Sequence, residues 1–118
     1  MNTIVLKKGE QPTQEFDWGT LTWYANAPLT ETDYTLGFCK IKPGCNNPMH
    51  RHPDSSETLC VLKGKIRHTA GADAYEMSEG DAITIPTGVA HNATNIGEEE
   101  AVLAIAFSTG ERKTVNVK

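Results

Sequence analysis

The chain has 118 residues, enough for one domain with its own hydrophobic core and too few for a second. Its 38% hydrophobic and 22% charged residues, with ten glycines, are typical of a turn-rich globular protein and exclude an intrinsically disordered one. The net charge of −4 and the singly scattered Lys and Arg residues exclude the basic stripe that a nucleic-acid partner requires.

The N-terminal segment MNTIVLKKGE lacks the apolar core of a secretory signal, because two lysines follow only three apolar residues. No apolar run approaches the length of a membrane-spanning helix. The three cysteines, Cys39, Cys45 and Cys60, fit neither a zinc-ligand spacing nor a disulfide framework. We therefore expect buried, inert thiols in a cytoplasmic protein with no membrane partner, and Cys45 is the thiol closest in sequence to a pair of histidines.

Short apolar or alternating runs, separated by Gly, Pro, Asn or Asp, recur along the chain and predict strands. No helical periodicity persists for a dozen residues, so any helix should have one or two turns. Tight hairpin turns are predicted at 62–66, 78–82 and 95–100, with Gly64 and Gly80 at positive φ. So many short strands must form a closed barrel or a two-sheet sandwich. The predicted strands are TIVL (3–6), GTLTWYA (19–25), TLGFCKI (35–41), ETLCVLKG (57–64), KIRHTA (65–70), DAITIP (81–86) and AVLAIAF (101–107).

The stretch NPMHRHPDSSE gathers two histidines and a glutamate around a predicted turn. In a strand, His50 and His52 project from the same face, roughly 6.5 to 7 Å apart along the chain, which suits two ligands of one ion. Pro53 and the polar residues after it predict a turn, so the chain should enter a new strand at Glu57. A carboxylate therefore returns to the neighbourhood of two imidazoles.

A third histidine, His91, follows IPTGVA, in which Pro86 and Gly88 predict a tight turn before another strand. It could complete a set of three imidazoles and one carboxylate. Such ligands suit Fe(II), Mn, Ni, Co, Cu or Zn, and they leave up to two coordination positions for substrate, water or dioxygen. For each histidine taken alone, a structural role is the alternative.

The spacing of these residues resembles the two signature motifs of the cupin superfamily. The resemblance covers residues 44–64 for the first motif and 80–95 for the second, with no gap or substitution. It implies one cupin domain over residues 1–118, folded as an all-β double-stranded β-helix, or jelly-roll, barrel. It also implies that His50, His52, Glu57 and His91 bind one divalent transition metal per chain. The matched positions are Gly44, His50, His52, Glu57 and Gly64, and then Gly80, Pro86, Gly88, His91 and Asn95.

The resemblance further implies a homodimer, because small cupins often exchange an N-terminal strand. The predicted strand 3–6 would suit such an exchange. The strand 101–107 is apolar on both faces, so both should be covered, in part by a second subunit.

Other residues are weaker candidates for the site. His68 is a candidate second-shell base if its strand face points inward with Ile66, and a structural or surface role is the alternative. Asn95 is expected to hold the turn after His91, and Arg51 to point away from the metal. The aromatic candidates for the cavity mouth, each with core packing as the alternative, are Trp18, Trp23, Tyr24, Phe38 and Tyr75.

Three functional hypotheses follow, because the resemblance extends to many activities and a fold does not fix function. The leading one is a metal-dependent dioxygenase or related oxidoreductase that uses Fe(II) on a small-molecule substrate, with Glu57 able to act as a base. The second is an isomerase, lyase or cyclase acting on a sugar, keto acid or similar oxygenated molecule, in which Glu57 or His68 moves protons. The third is a binding or sensing module without turnover.

Overall fold

The computed structural model describes residues 2–117, and it consists of short β-strands and one helical turn. No helix in this part of the chain is long and apolar enough to cross a membrane. The elements are β1 (Thr13–Phe16), β2 (Gly19–Ala25), α1 (Ala27–Thr30), β3 (Thr35–Ile41), β4 (His50–Arg51), β5 (Glu57–Lys63), β6 (Lys65–Ala70), β7 (Asp73–Ser78), β8 (Ala82–Ile85), β9 (His91–Asn95), β10 (Ala101–Phe107) and β11 (Val115–Asn116).

The strands form two antiparallel sheets that pack face to face. The six-stranded sheet has the order β1-β2-β3-β10-β5-β8, and the five-stranded sheet has the order β11-β4-β9-β6-β7. Apolar residues from both inner faces form one core between the sheets. This arrangement confirms the predicted all-β jelly-roll fold.

Strand β10 lies inside the larger sheet, between β3 and β5, and illustrates how alternation places the core. Leu103, Ile105 and Phe107 are buried on its inner face. On the other face Val102 is half-buried and Ala106 is exposed. Within one chain, therefore, only one of the two apolar faces is fully covered, and a covering subunit remains a prediction.

The three turns predicted as hairpins are tight turns, but each connects strands of different sheets. The turn at 62–66 leads from β5 to β6, that at 78–82 from β7 to β8, and that at 95–100 from β9 to β10. Gly64 and Gly80 have the predicted positive φ, +90° and +91°. The hairpin prediction was wrong because turn chemistry fixes a local reversal and does not determine which sheet the next strand joins.

Two predictions about strands were also wrong. The apolar run 3–6 is irregular and mostly exposed in the structure, because no strand of the described chain pairs with it. In contrast, β1 and β7 are strands that the pattern did not indicate, since their sequences TQEF and DAYEMS are largely polar. Both are edge strands, and Met77 is the only buried residue in β7, so pairing with a neighbour determines their structure.

Candidate metal centre

The four predicted ligand residues converge at one point between the two sheets. His50, at the start of β4, pairs directly with His91, at the start of β9. His52 follows two residues later, and a turn then carries the chain into the larger sheet, where Glu57 begins β5. One ligand atom from each of these four residues lies within 4.8 Å of all the others. The structure thus brings together the set that the sequence predicted.

A backbone carbonyl holds the Nδ1 atom of each of the three histidines. A carbonyl oxygen can only accept a hydrogen bond, so each Nδ1 carries a proton, and each Nε2 keeps its lone pair when the ring is neutral. Hydrogen bonds of this kind orient the metal-binding histidines of known sites. The bonds run from His50 to Pro48 at 2.7 Å, from His52 to Lys113 at 2.9 Å and from His91 to Val89 at 3.0 Å.

Two of the imidazoles face the same carboxylate oxygen. His91 Nε2 lies 3.0 Å from Glu57 Oε1, in hydrogen-bond geometry. His52 Nε2 lies 3.2 Å from the same oxygen but has no hydrogen-bond partner among residues 2–117. Because Nδ1 already carries the proton of each neutral ring, Nε2 would present a lone pair to the carboxylate. The contact is favourable only if the ring gains a second proton or a cation lies between the two groups.

The pKa values at the site favour an ionised carboxylate beside a neutral imidazole. Burial raises the pKa of Glu57, but the close contacts of its carboxylate with the His52 and His91 rings outweigh burial and hold that pKa at about 2. Burial lowers the pKa of His50 to about 4. Burial also lowers the pKa of His91, whereas contact with the Glu57 carboxylate raises it, and the net pKa is raised. A metal requires deprotonated ligands, and Glu57 and His50 already meet this condition at neutral pH.

These residues fit a first-row divalent ion. His52, Glu57 and His91 are at most 5% exposed, so they are shielded from competing water. Ligand atoms around one ion at about 2.1 Å lie roughly 3 to 4 Å apart, which is near the observed spacing. The buried, unpaired Nε2 of His52 would also gain a partner. Three imidazoles and one carboxylate could therefore hold one ion between the sheets.

His68 lies in β6 and lines the same cavity, as predicted for a residue that points inward with Ile66. It is 1% exposed, so the alternative of a surface histidine was wrong. Its ring stacks on that of His91, with centroids 5.6 Å apart. Burial and the nearby His91 lower the pKa of His68 to about 4, and its Nδ1 has no hydrogen-bond partner in the described chain. His68 is thus a neutral base beside the four ligands and does not belong to their group.

The cysteines lie outside the ligand group, and all three are free thiols. Cys39 is buried, and burial raises its pKa to about 12, so it stays protonated. Cys45 and Cys60 are half-buried. Cys45, despite its position near His50 in sequence, packs against the core and is absent from the cavity wall.

The ligand group opens into a cavity of about 260 Å³ between the sheets. Of the five aromatic candidates, Trp18 and Trp23 line this cavity and also pack in or against the core, whereas Tyr24, Phe38 and Tyr75 do not line it. The wall also includes the aliphatic residues Leu21, Leu59, Ala93, Leu103 and Ile105 and the uncharged polar residues Gln14, Asn47, Thr114 and Asn116. The cavity therefore suits a small and largely apolar molecule.

Sequence reasoning missed one charged residue of the cavity wall, Arg112. It lies in the segment after β10, among other polar residues, and nothing in that stretch distinguishes it from surface charges. The same segment supplies the Lys113 carbonyl to His52. Long-range contacts, among them the pairing of β11 with β4, bring this end of the chain to the site.

Comparison with known proteins finds one matching family and several curated relatives. Residues 37–107 match the family model described as a cupin domain. The chain is 30% identical to the rhicadhesin receptor of Pisum sativum, over 85% of this chain and 50% of that protein. It is also 30% identical to quercetin 2,3-dioxygenase of Bacillus subtilis, over 75% of this chain and 26% of that one. It thus spans half the length, or less, of these relatives.

A solved structure supports the same fold. Oxalate decarboxylase of Bacillus subtilis, a protein with Mn(II) centres, superposes with a TM-score of 0.84 at 23% identity. The superposition covers 92% of this chain and 30% of that chain. At this level of identity the likeness shows the architecture of the two sheets around the site.

Proposed function

Because the chain belongs to the cupin family, we propose that it is a metal-dependent enzyme that acts on small-molecule substrates. His50, His52, Glu57 and His91 would hold one divalent transition ion per chain. A dioxygenase or related oxidoreductase is our first choice of reaction, and Fe(II) is our first choice of ion. The observation that carries the proposal is the approach of four ligand atoms to within 4.8 Å inside a cavity.

The names of the relatives support a redox assignment, since one of them is a dioxygenase and another has Mn(II) centres. A bound ion would supply open positions for an oxygenated substrate and, if it is iron or manganese, accessible redox states. The residues of the chain would offset charge, orient the ligands and exclude water. Glu57 would offset part of the positive charge, and the carbonyls bonded to each Nδ1 would keep the imidazoles in place. The aliphatic wall would exclude water from the substrate.

A non-redox isomerase, lyase or cyclase is the second candidate, and His68 is the observation that favours it. His68 lies in the cavity wall and its pKa of about 4 keeps the ring neutral at pH 7, so it can accept a proton. It lies beside His91 without belonging to the ligand group, so it could move a proton while the ligands stay in place. Glu57 is the other candidate base of this reaction.

Metal analysis of protein purified without oxygen or added metal tests the proposal. We expect about one ion per chain in the wild type and in His68→Gln, which is the matched histidine control. We expect little metal in His50→Ala or His91→Ala. If either ligand variant kept its metal and activity, the site assignment would be wrong.

Oxygen uptake separates the two candidate reactions. Iron in the isolated protein, with oxygen consumption in the presence of an organic substrate, is the expected result for the redox class. Tightly held zinc and no oxygen uptake after iron reconstitution would contradict that class. Turnover that persists without oxygen and is lost in His68→Gln would then favour the second candidate. A ligand recovered unchanged after long incubation would instead indicate a binding module.

We also propose that the protein acts as a homodimer in the cytoplasm. The partly uncovered face of β10 is apolar, and the three thiols are free, as they are in a reducing compartment. Light scattering of the purified protein should give twice the chain mass of 12.9 kDa. A single-chain mass at micromolar concentration would contradict the dimer.

A further inference from the structure

Arg112 is a cation in the cavity wall, and the proposed metal site gives it no role. Its guanidinium carbon lies 4.2 Å from the ring centroid of Trp23 and 5.2 Å from that of Phe107. Aromatic contacts of this kind hold the planar head of an arginine in place without a carboxylate partner. Arg112 is therefore fixed at the wall by stacking.

The charge of Arg112 is not neutralised by an ion pair. No carboxylate of residues 2–117 lies within 4.0 Å of its guanidinium. Its Nη1 donates to Thr114 Oγ1 at 2.6 Å, which uses one of the five N–H groups of the head. Arg112 is half-buried, and neither its Nε nor its Nη2 is a buried atom without a partner, so these donors reach solvent and are available to an anion from outside the chain.

The other charged group of the cavity wall cannot serve as that partner. Among residues 2–117, Glu57 is the only acidic residue lining the cavity, and its carboxylate faces His52 and His91. With a divalent ion bound, one carboxylate and one guanidinium would leave this small cavity with a net positive charge. A neutral sugar would not offset that charge, whereas a substrate anion would.

The ligand group and Arg112 share two neighbours, Thr114 and Phe107. The His52 ring lies 4.9 Å from the Phe107 ring, centroid to centroid, in an edge contact, and Arg112 lies over the same phenyl ring. A small molecule above Phe107 would thus meet a histidine of the ligand group at one end and the guanidinium at the other. Its middle would contact the aliphatic wall formed by residues such as Leu103 and Ile105.

We propose that Arg112 is the substrate-anchoring residue of this cavity, and that the substrate is a small monocarboxylate with an apolar body. The guanidinium would bind the carboxylate through two parallel hydrogen bonds, a geometry that arginine favours. The aliphatic wall would hold the apolar body. This inference rests on the proposed function, because it assumes that an ion occupies the group formed by the three histidines and Glu57.

A matched pair of probes tests the inference. One probe is 3-methyl-2-oxobutanoate, and the other is its amide, which has nearly the same shape and no charge. Binding is measured by calorimetry on protein loaded with one equivalent of Zn(II), so that no redox turnover interferes. We expect the wild type to bind the carboxylate about 10- to 100-fold more tightly than the amide, the range of a charge-assisted hydrogen bond.

The variants identify the source of this preference. Arg112→Met keeps an apolar stem against Trp23 but removes the charge, so the carboxylate should lose its 10- to 100-fold advantage while the amide binds as before. Arg112→Gln should behave likewise and decides the matter if the methionine variant does not fold. Arg67→Met, which removes an exposed arginine absent from the cavity wall, should match the wild type.

Three results would overturn the inference: a preference that survives both Arg112 variants, equal binding of the two probes by the wild type, or no binding of the carboxylate at millimolar concentration. Inorganic phosphate that binds more tightly than the carboxylate and depends on Arg112 would overturn the assignment of a monocarboxylate. The zinc content of each sample is measured beforehand. A wild type that takes up no zinc would contradict the proposed function itself, and the inference would fall with it.

Discussion

Asn95 joins the two sheets, and its replacement by alanine should lower the free energy of unfolding markedly. Its Nδ2 donates to the carbonyl oxygens of Ile41 and Glu99, both at 2.8 Å, and its Oδ1 accepts from Gly97 N at 2.9 Å. These bonds confirm the expected role in the turn after β9. Because Asn95 lies in the five-stranded sheet and Ile41 in the other, the Nδ2 bond to Ile41 also connects the sheets.

The magnitude follows from the groups that the variant leaves without partners. Asn95→Ala would leave the carbonyl oxygens of Ile41 and Glu99 and the amide of Gly97 without their side-chain partner, and the bond to Ile41 is buried. Each of the three lost bonds costs about 1 to 1.5 kcal/mol, so the total should be about 3 to 4.5 kcal/mol. That is a large fraction of the roughly 5 to 15 kcal/mol that stabilises a domain.

Denaturation in guanidinium chloride, followed by tryptophan fluorescence, measures this loss. Asn92→Ala is the matched control on the same strand, because the Asn92 side chain makes one part-buried hydrogen bond, to Asn47 O at 3.1 Å, and its loss should cost about 1 kcal/mol. Asn95→Asp should be at least as unstable as Asn95→Ala, since it turns an oxygen toward two carbonyls. Metal content per folded molecule should not change in any of the three. If Asn95→Ala were as stable as Asn92→Ala, or if it lost metal while keeping its stability, the structural role of Asn95 would be refuted.

Three further predictions concern the ion, pH and backbone packing. An ion present at 100 times its Kd stabilises the folded protein by about 2.7 kcal/mol, so removing it with a chelator should lower Tm by about 10 °C in a thermal scan. His91→Ala should show no such response to the chelator. In chelated protein the pKa of His68 is about 4 when folded, against an ordinary value of 6.5, so the unfolded chain binds more protons and stability falls as pH drops below 6.5. At pH 5 this loss is about 2 kcal/mol, and denaturation of His68→Gln should show a shallower pH dependence than the wild type; equal slopes would contradict the assigned pKa. A Cβ at Gly19 would lie 1.8 Å from the Lys40 carbonyl oxygen, so Gly19→Ala should lower the free energy of unfolding by about 3 kcal/mol or more. Gly80→Ala is the control: its Cβ meets no heavy atom within 4 Å, so it should cost only about 1 to 2 kcal/mol, because of the positive φ at Gly80. Equal losses in the two variants would refute backbone packing as the reason.

Strand positions could be predicted where side chains alternate between a buried and a solvated face. Strands β2, β3 and β10 begin and end where the apolar pattern placed them, because their inner residues are core residues in any arrangement of the sheets. Strands β1 and β7 could not be found this way. They are edge strands with few buried side chains, so their extended structure comes from hydrogen bonds to a neighbour that the local sequence does not reveal.

The candidate ligands were predictable because three of them lie within eight residues of chain. The alternation of a strand and the turn after Pro53 are local properties, and they bring His50, His52 and Glu57 together in almost any fold that accommodates them. His91 required the resemblance to known motifs, since its pairing with His50 is formed across two strands.

The sequence alone determined the strand-rich architecture and the grouping of His50, His52 and Glu57, because both depend on short-range periodicity and spacing, and the resemblance to known motifs added His91. Only the tertiary structure decided that the turns at 62–66, 78–82 and 95–100 pass between sheets, that the Lys113 carbonyl holds His52, and that Arg112 lies over Trp23 and Phe107. His52 and Lys113 are 61 residues apart. Such contacts arise from the packing of one sheet on the other, and no pattern within a single segment of the chain carries that information.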